Sequence, residues 1–331
     1  MKDIVLLVLS LGIILLGAEV FTNGVEWLGK RLNLDDGAVG SVLAAVGTAL
    51  PETMIPVIAI LSHSGAAGQD VGIGAILGAP FMLGTLALFV VGCAVFIFRR
   101  SNRAMYINYQ VMLRDINFFL AVYSLAIIAS FLPAFPLRLV IVAVLLGSYI
   151  AYVIKTITSG HGGVDTHEEL PPLYFDKRSK KPRIMTVLSQ IVFAVLIIVA
   201  GAELFVGSVQ KVAASAGIPV LVLSLIITPV ATELPEKFNS VLWARRGKDT
   251  LAIGNITGAM VFQSSVIPAL GIAFTPWVLE PLALISALLV LGSASLQYFF
   301  LLRKRTLYPA GLLLGGVFYL LFIISVIRNM V

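Results

Sequence analysis

Charge is scarce in this chain: Asp, Glu, Lys and Arg make up 12% of its 331 residues. A soluble domain carries about twice that share, so an ordinary water-facing surface is excluded. Cysteine is almost missing; the lone Cys93 can form no internal disulfide and reads as a small core residue. Histidine is nearly as rare, and His63, His161 and His167 are too few and too scattered for an imidazole metal centre. There is no HExxH, no serine nucleophile elbow and no phosphate-binding loop, which argues against an intramembrane hydrolase or any other enzyme and against drive by ATP. A non-transporting structural or sensory membrane protein is the other class left open.

What the chain has is hydrocarbon, with 59% of its residues hydrophobic. The apolar stretches recur at about 20 residues, the length of helix that crosses a bilayer, and lack the ten-residue alternation of a barrel. They predict an all-α integral membrane protein of ten transmembrane helices, approximately 4–28, 37–62, 71–98, 115–133, 137–157, 185–209, 219–244, 250–274, 278–302 and 308–328. The formal charge of +6 then reports topology and not a nucleic-acid partner. Eighteen of the 23 Lys and Arg residues fall in alternate loops, four on the opposite side, and Lys237 inside a span. The positive-inside rule puts both termini on the non-cytoplasmic side of the cell membrane.

The start, MKDIVLLVLSLGIILLG, has the look of a signal peptide, but its continuation is copied mid-chain, so it reads as a structural helix. Shifted by 184 residues, IILLGAEVF at 13–21 falls on IIVAGAELF at 197–205, and GTALPE at 47–52 falls on ATELPE at 231–236. Further on, GAILGAPFM at 74–82 meets GNITGAMVF at 254–262. Five spans per copy is an odd number, so the second copy enters the bilayer upside down. Residues 1–158 form the first inverted repeat, 159–184 a polar cytoplasmic linker and 185–331 the second repeat. Inverted repeats underlie many secondary transporters, whose ion sites lie near the midplane. Residues 101–115 suggest an interfacial helix, or equally a plain loop.

Carboxylates at membrane depth cost roughly 2.5 to 3.5 kcal/mol each, which marks them as functional candidates. Five stand inside spans: Glu19, Glu52, Glu203, Glu233 and Glu236. Glu52 and Glu236 each follow a proline, which has no N–H to give and leaves a helix carbonyl free. The expectation is a broken helix whose carboxylate and freed carbonyls form a hard-oxygen cage for calcium or sodium. Thr48 and Thr232 either complete the cage or back-bond to the preceding turn. Asn255 and Gln263 lean towards the site, with helix-to-helix hydrogen bonding as the plainer role. Lys237 lies four residues after Glu233; it either neutralises that glutamate or competes with the transported ion. Glu19 and Glu203 divide between gating and structural roles, and Gly72, Gly74, Gly78, Gly254 and Gly258 read as packing positions.

With GTALPE and ATELPE each followed by a glycine-rich helix, the chain resembles the cation/calcium antiporter superfamily, most nearly its sodium/calcium exchangers. The resemblance covers both halves. It implies a central ion site at Thr48, Glu52, Thr232 and Glu236, and antiport of calcium against sodium by alternating access, with no cofactor. Coupling to protons is the alternative, with Glu52 or Glu236 taking the proton as the metal leaves. Family members commonly carry serine before the leucine-proline pair, where this chain has Ala49 and Glu233. Later polar ligands of the family are replaced by Ala79, Pro80 and Leu83 in one copy and by Ala259, Met260 and Gln263 in the other.

Overall fold

In the computed structural model the described residues are 2–31, 49, 52–63, 65–99, 104–158, 170–179 and 181–330, without the side chains of 157, 234–236 and 330. Their regular elements are all helices. Eleven helices follow one another: α1 (Lys2–Arg31), α2 (Glu52–Leu61), α3 (Ala66–Met82), α4 (Leu88–Phe98), α5 (Tyr109–Ile128), α6 (Phe135–Thr158), α7 (Ile184–Ala216), α8 (Val220–Arg245), α9 (Asp249–Phe274), α10 (Pro281–Lys304) and α11 (Pro309–Met330). A five-residue π-turn, Leu83–Ala87, joins α3 to α4 in one rod, Ala66–Phe98. The only strand-like pairings among the described residues are isolated bridges, Met105 with Leu307 and Leu173 with Asp176.

Eight of these rods are long and apolar enough to cross a membrane, so the protein is a multi-pass membrane protein. The other two expected spans fall on α2 and α8, whose apolar stretches are only Glu52–Leu61 and Val220–Glu233. Residues 37–48 of the second expected span lie outside the described residues. In α8 the shortfall has a chemical cause, since Glu233, Glu236 and Lys237 interrupt the hydrocarbon.

The helix α1 packs antiparallel on α7 through two glycines. A Cβ on Gly17 would meet Ile198 and Ile197 side chains at 2.8 and 3.2 Å; one on Gly201 would meet Ile14 and Ile13 at 2.9 and 3.0 Å. The pairs are reciprocal under the 184-residue shift. Small residues let helix backbones approach where lipid offers no hydrophobic drive for association. The same device joins α3 to α8: a Cβ on Gly78 would lie 2.2 Å from the Leu225 carbonyl oxygen and 2.7 Å from Pro229 Cγ.

Asn108 caps α5 by accepting from the Val111 N–H at 3.2 Å, so the helix starts six residues before the expected 115. Residues 104–108 are non-helical, Met105 pairs with Leu307, and no separate interfacial helix forms among the described residues of 101–115. Residues 170–176 are docked against the helix pair. Trp27 donates its indole N–H to the Pro171 carbonyl at 2.9 Å, the Phe175 N–H reaches Gln190 Oε1 at 2.9 Å, and Leu173 is buried against Trp27 and Val187.

Candidate cation site

The helix α8 carries the second copy of the motif. The expected break does not occur: α8 is continuous from Val220 to Arg245, through Pro229 and Pro235. A proline inside a helix still withholds one donor, and here the deprived acceptors are the carbonyls four residues back, Leu225 and Ala231. Neighbouring helices and local adjustments hold such helices together in membranes. The Leu225 oxygen is the atom that Gly78 of α3 approaches.

One face of α8 is lined with polar groups. Ser224 donates to the Val71 carbonyl of α3 at 2.8 Å and lies 3.1 Å from the Thr228 hydroxyl. Thr232, fully buried, donates to the Thr228 carbonyl at 3.0 Å, the back-bonded arrangement weighed above. One residue on, Glu233 is 1% exposed. Its Oε1 accepts from Gln263 Nε2 of α9 at 3.0 Å, and its Oε2 lies 3.6 Å from Lys237 Nζ. Lys237 is itself only 5% exposed. Gln263 Oε1, also buried, has no hydrogen-bond partner among the described residues. Asn255, two turns before Gln263 on α9, donates instead to Ser240 Oγ at 3.0 Å and ties α9 to α8 further along.

On α2, Glu52 is 5% exposed. Thr53 donates to the Ala49 carbonyl at 2.6 Å. Met54 and Ile55 pack into an apolar cluster with Leu223 and Ile227 of α8, which sets α2 beside α8. Thr48 and the side chain of Glu236 lie outside the described residues. A nearby cavity of about 70 Å3, lined by Pro56, Ile60, Ile76, Ile267 and other apolar groups, offers a cation no oxygen ligands.

The charged side chains buried among the described residues are Glu52, Asp115, Glu233, Lys237 and Asp249. Two of the acids are braced by arginines. Asp115 of α5 accepts from Tyr152 at 2.7 Å, from Thr257 at 2.8 Å and from Arg114 at 3.3 Å. Asp249 pairs with Arg99 and accepts from the Tyr106 N–H at 2.8 Å. Asp115 and Asp249 sit near predicted span ends and carry no repeat signal, so the sequence did not single them out. The remaining three belong to the twin-motif helices.

Glu19 and Glu203, twins under the shift, meet different partners. Tyr174 donates to Glu19 at 2.5 Å, and this bond pushes the Tyr174 phenol above its ordinary value. Glu203 lies 3.7 Å from His63, beyond the end of α2.

Carboxylates buried within the spans of a polytopic helical protein mark candidate functional sites. Comparison with known proteins gives the family. The model of the sodium/calcium exchanger protein family matches residues 2–158 and 186–331, and the chain belongs to that family. Among relatives, a protein named as an antiporter, CaxA of Alkalimonas amylolytica, is 25% identical over 278 residues, covering 82% of this chain and 81% of its own. The inner membrane protein YrbG of Escherichia coli K12 is 24% identical over 325 residues, covering 95% and 93%. The fold is similar to that of the H+/Ca2+ exchanger CAX, at TM-score 0.71, 20% identity and 96% of this chain against 82% of that one. It is also similar to that of the sodium-calcium exchanger NCX_Mj, at TM-score 0.58, 20% identity and 98% of both chains.

Proposed function

We propose that this chain is a secondary active antiporter of the cell membrane that exchanges calcium for sodium by alternating access. In this reading α1 to α6, with α3 and α4 as one rod, are the first five spans and α7 to α11 the second five, in inverted repeats joined by a cytoplasmic linker. Both termini are non-cytoplasmic. The observation that carries the reading is the distribution of buried charge: Asp115 and Asp249 are held by arginines, while Glu52, Glu233 and Lys237 lie on α2 and α8, the helices with the duplicated motif. The reciprocal glycine contacts of α1 and α7 support the inverted plan, as does the family match in two stretches that leave out 159–185.

The proposed ligands are the carboxylates of Glu52 and Glu236, oxygens of Thr48 and Thr232, and Gln263 Oε1, whose amide is oriented by its own bond to Glu233. Hard oxygens of this kind suit calcium and sodium alike, so one site serves both ions in turn. Glu233 enters with its charge already met by Lys237, and Asn255 clamps α8 to α9. The apolar Ala79, Pro80 and Leu83 of the first copy favour few sodium ions per cycle and keep protons as the alternative counter-ion.

The test is calcium-45 uptake by purified protein in liposomes under a sodium gradient and, separately, a pH gradient. Sodium-driven uptake that Glu52→Gln and Glu236→Gln each reduce at least 100-fold is the expected result. Uptake driven only by pH would assign the proton instead, and no counter-ion-dependent uptake would overturn the antiporter.

A further inference from the structure

The helix α10 ends in three consecutive basic residues, each laid over an aromatic ring: Arg303 at 4.7 Å from the centre of Phe299, Lys304 at 5.0 Å from that of Tyr308 and Arg305 at 5.4 Å from that of Tyr109. Lys304 and Tyr308 border a cavity of about 100 Å3 between α10 and α11, lined also by Gln297, Phe300, Leu307 and Gly311. Gln297, Phe300 and Lys304 follow one another at three and four residues, so one face of α10 presents all three. The space has room for several water molecules. Gln297 is 1% exposed. Its Nε2 donates to the Gly311 carbonyl at 2.7 Å, and its Oε1 has no hydrogen-bond partner among the described residues. A Cβ on Gly311 would lie 3.6 Å from that oxygen and 3.1 Å from the Phe300 ring, so the glycine keeps the space open.

We infer that this cavity binds the headgroup of an anionic phospholipid that bears a free hydroxyl, of the phosphatidylglycerol kind, with the phosphate on Lys304 and the hydroxyl donating to Gln297 Oε1. The inference stands apart from the transport reading. A buried acceptor without a donor is costly to leave unmet, and the cation at the cavity wall calls for an anion. An ammonium headgroup also donates, but Arg303, Lys304 and Arg305 repel it. A hydroxyl is the neutral donor, and the phosphodiester beside it supplies the negative charge. Basic pockets between spanning helices hold lipid headgroups in this way. The bilayer is the source because the cavity lies at the end of a membrane-spanning helix, whose last turns expose Phe299 and Leu302 as apolar surface for acyl chains.

The experiment titrates the full chain, delipidated in detergent, by native mass spectrometry. The probes are phosphatidylglycerol, phosphatidylmethanol, which has the same charge and no hydroxyl, and free glycerol phosphate. Wild type should bind phosphatidylglycerol about 10-fold more tightly than phosphatidylmethanol, the effect of one buried acceptor met or unmet. Lys304→Gln should weaken both lipids about 5-fold, the worth of one basic residue at a charged interface. Gly311→Ala should abolish the preference between the two lipids by filling the cavity, and Gln297→Met, which removes the acceptor, replaces it if the alanine variant does not fold. Arg303→Gln should keep the preference, because Arg303 does not line the cavity. Equal binding of the two lipids to wild type, a preference that survives Gly311→Ala or is lost in Arg303→Gln, or a Lys304→Gln variant that binds like wild type would each overturn the inference. Free glycerol phosphate binding as tightly as the lipid would overturn it too, by making this a site for a soluble phosphate ester.

Discussion

Replacing Gly78 by alanine should separate α3 from α8. A Cβ there would lie 2.2 Å from the Leu225 carbonyl oxygen, 2.9 Å from the Leu225 carbonyl carbon and 2.7 Å from Pro229 Cγ. These are about 1 Å inside the roughly 3.5 Å at which non-bonded atoms rest. None of the three is the end of a flexible side chain, so relief requires one helix to shift. The Leu225 carbonyl is also the one that Pro229 cannot serve. Overpacking of this kind costs about 3 kcal/mol, at the top of its usual range, less the ~1 kcal/mol that alanine gains over glycine in a helix. Gly147 of α6 is the control, because it is exposed and nothing described lies within 4 Å of its Cβ position. Gly147→Ala should be neutral or up to ~1 kcal/mol stabilising. The gap between the two variants is then about 2 to 3 kcal/mol, on the order of a 30- to 150-fold difference in the folded-to-unfolded ratio. Denaturant titration in detergent micelles, followed by tryptophan fluorescence, measures it. Equal stability of the two variants would refute the close approach of α3 and α8.

Three further outcomes are expected. Arg99→Gln leaves Asp249, 3% exposed at its side chain, without its cation and should destabilise by about 3 kcal/mol, readable as a lowered unfolding midpoint; Arg99→Lys should recover only part of it, because the guanidinium also donates to the Ala244 carbonyl at 2.8 Å. Asp115→Asn should loosen α5 from α6 and α9 together, since Tyr152 and Thr257 both bond that carboxylate; hydrogen exchange should rise in all three helices. Tyr174→Phe removes the donor to Glu19. The folded-state phenol titrates above its ordinary value near 10, so its contribution is complete below pH 10 and disappears as pH climbs through the raised value. Protease protection of residues 170–179 should thus differ between wild type and variant at pH 7 and converge at strongly alkaline pH.

Hydropathy made the helices legible, because a rod that crosses hydrocarbon has to be apolar for about 20 residues whatever it packs against. The test weakened at α2 and α8, where function and apolar length compete for the same residues: α8 passes for only Val220–Glu233 of its 26 residues. An internal sequence copy was visible as well, and the offset that aligns IILLGAEVF with IIVAGAELF also relates the Gly17 and Gly201 contacts. Partners were not legible. Trp27 and Asn23 read as ordinary span residues until residues 171–175 fold back onto them, and a proline that would end a helix in water is carried inside α8 because adjacent helices hold it. For the site, sequence supplied the acids but not their order of pairing, as Gln263 turns to Glu233 while Asn255, equally polar and eight residues away, turns to Ser240.

The asymmetry between the copies follows from how charge behaves in a buried turn. At positions i and i+4 the first copy has Ala49 and Thr53, joined by a hydroxyl-to-carbonyl bond of 2.6 Å, and the second has Glu233 and Lys237, 3.6 Å apart. Each arrangement is neutral, although Glu233 also accepts from Gln263 of α9. A hybrid is not: glutamate with threonine takes the i+4 cation from a buried carboxylate, and alanine with lysine takes the i−4 carboxylate from a buried ammonium, and removing one member of a buried pair costs about 3 to 5 kcal/mol. Glu233→Ala or Lys237→Thr alone should therefore lower stability by roughly that amount, whereas the two together should recover most of it. A double-mutant cycle on the unfolding midpoint measures the coupling. Additive losses would mean that Gln263 and the surrounding helices hold Glu233 without help from Lys237, and the pair would then have no claim to act as one neutral unit.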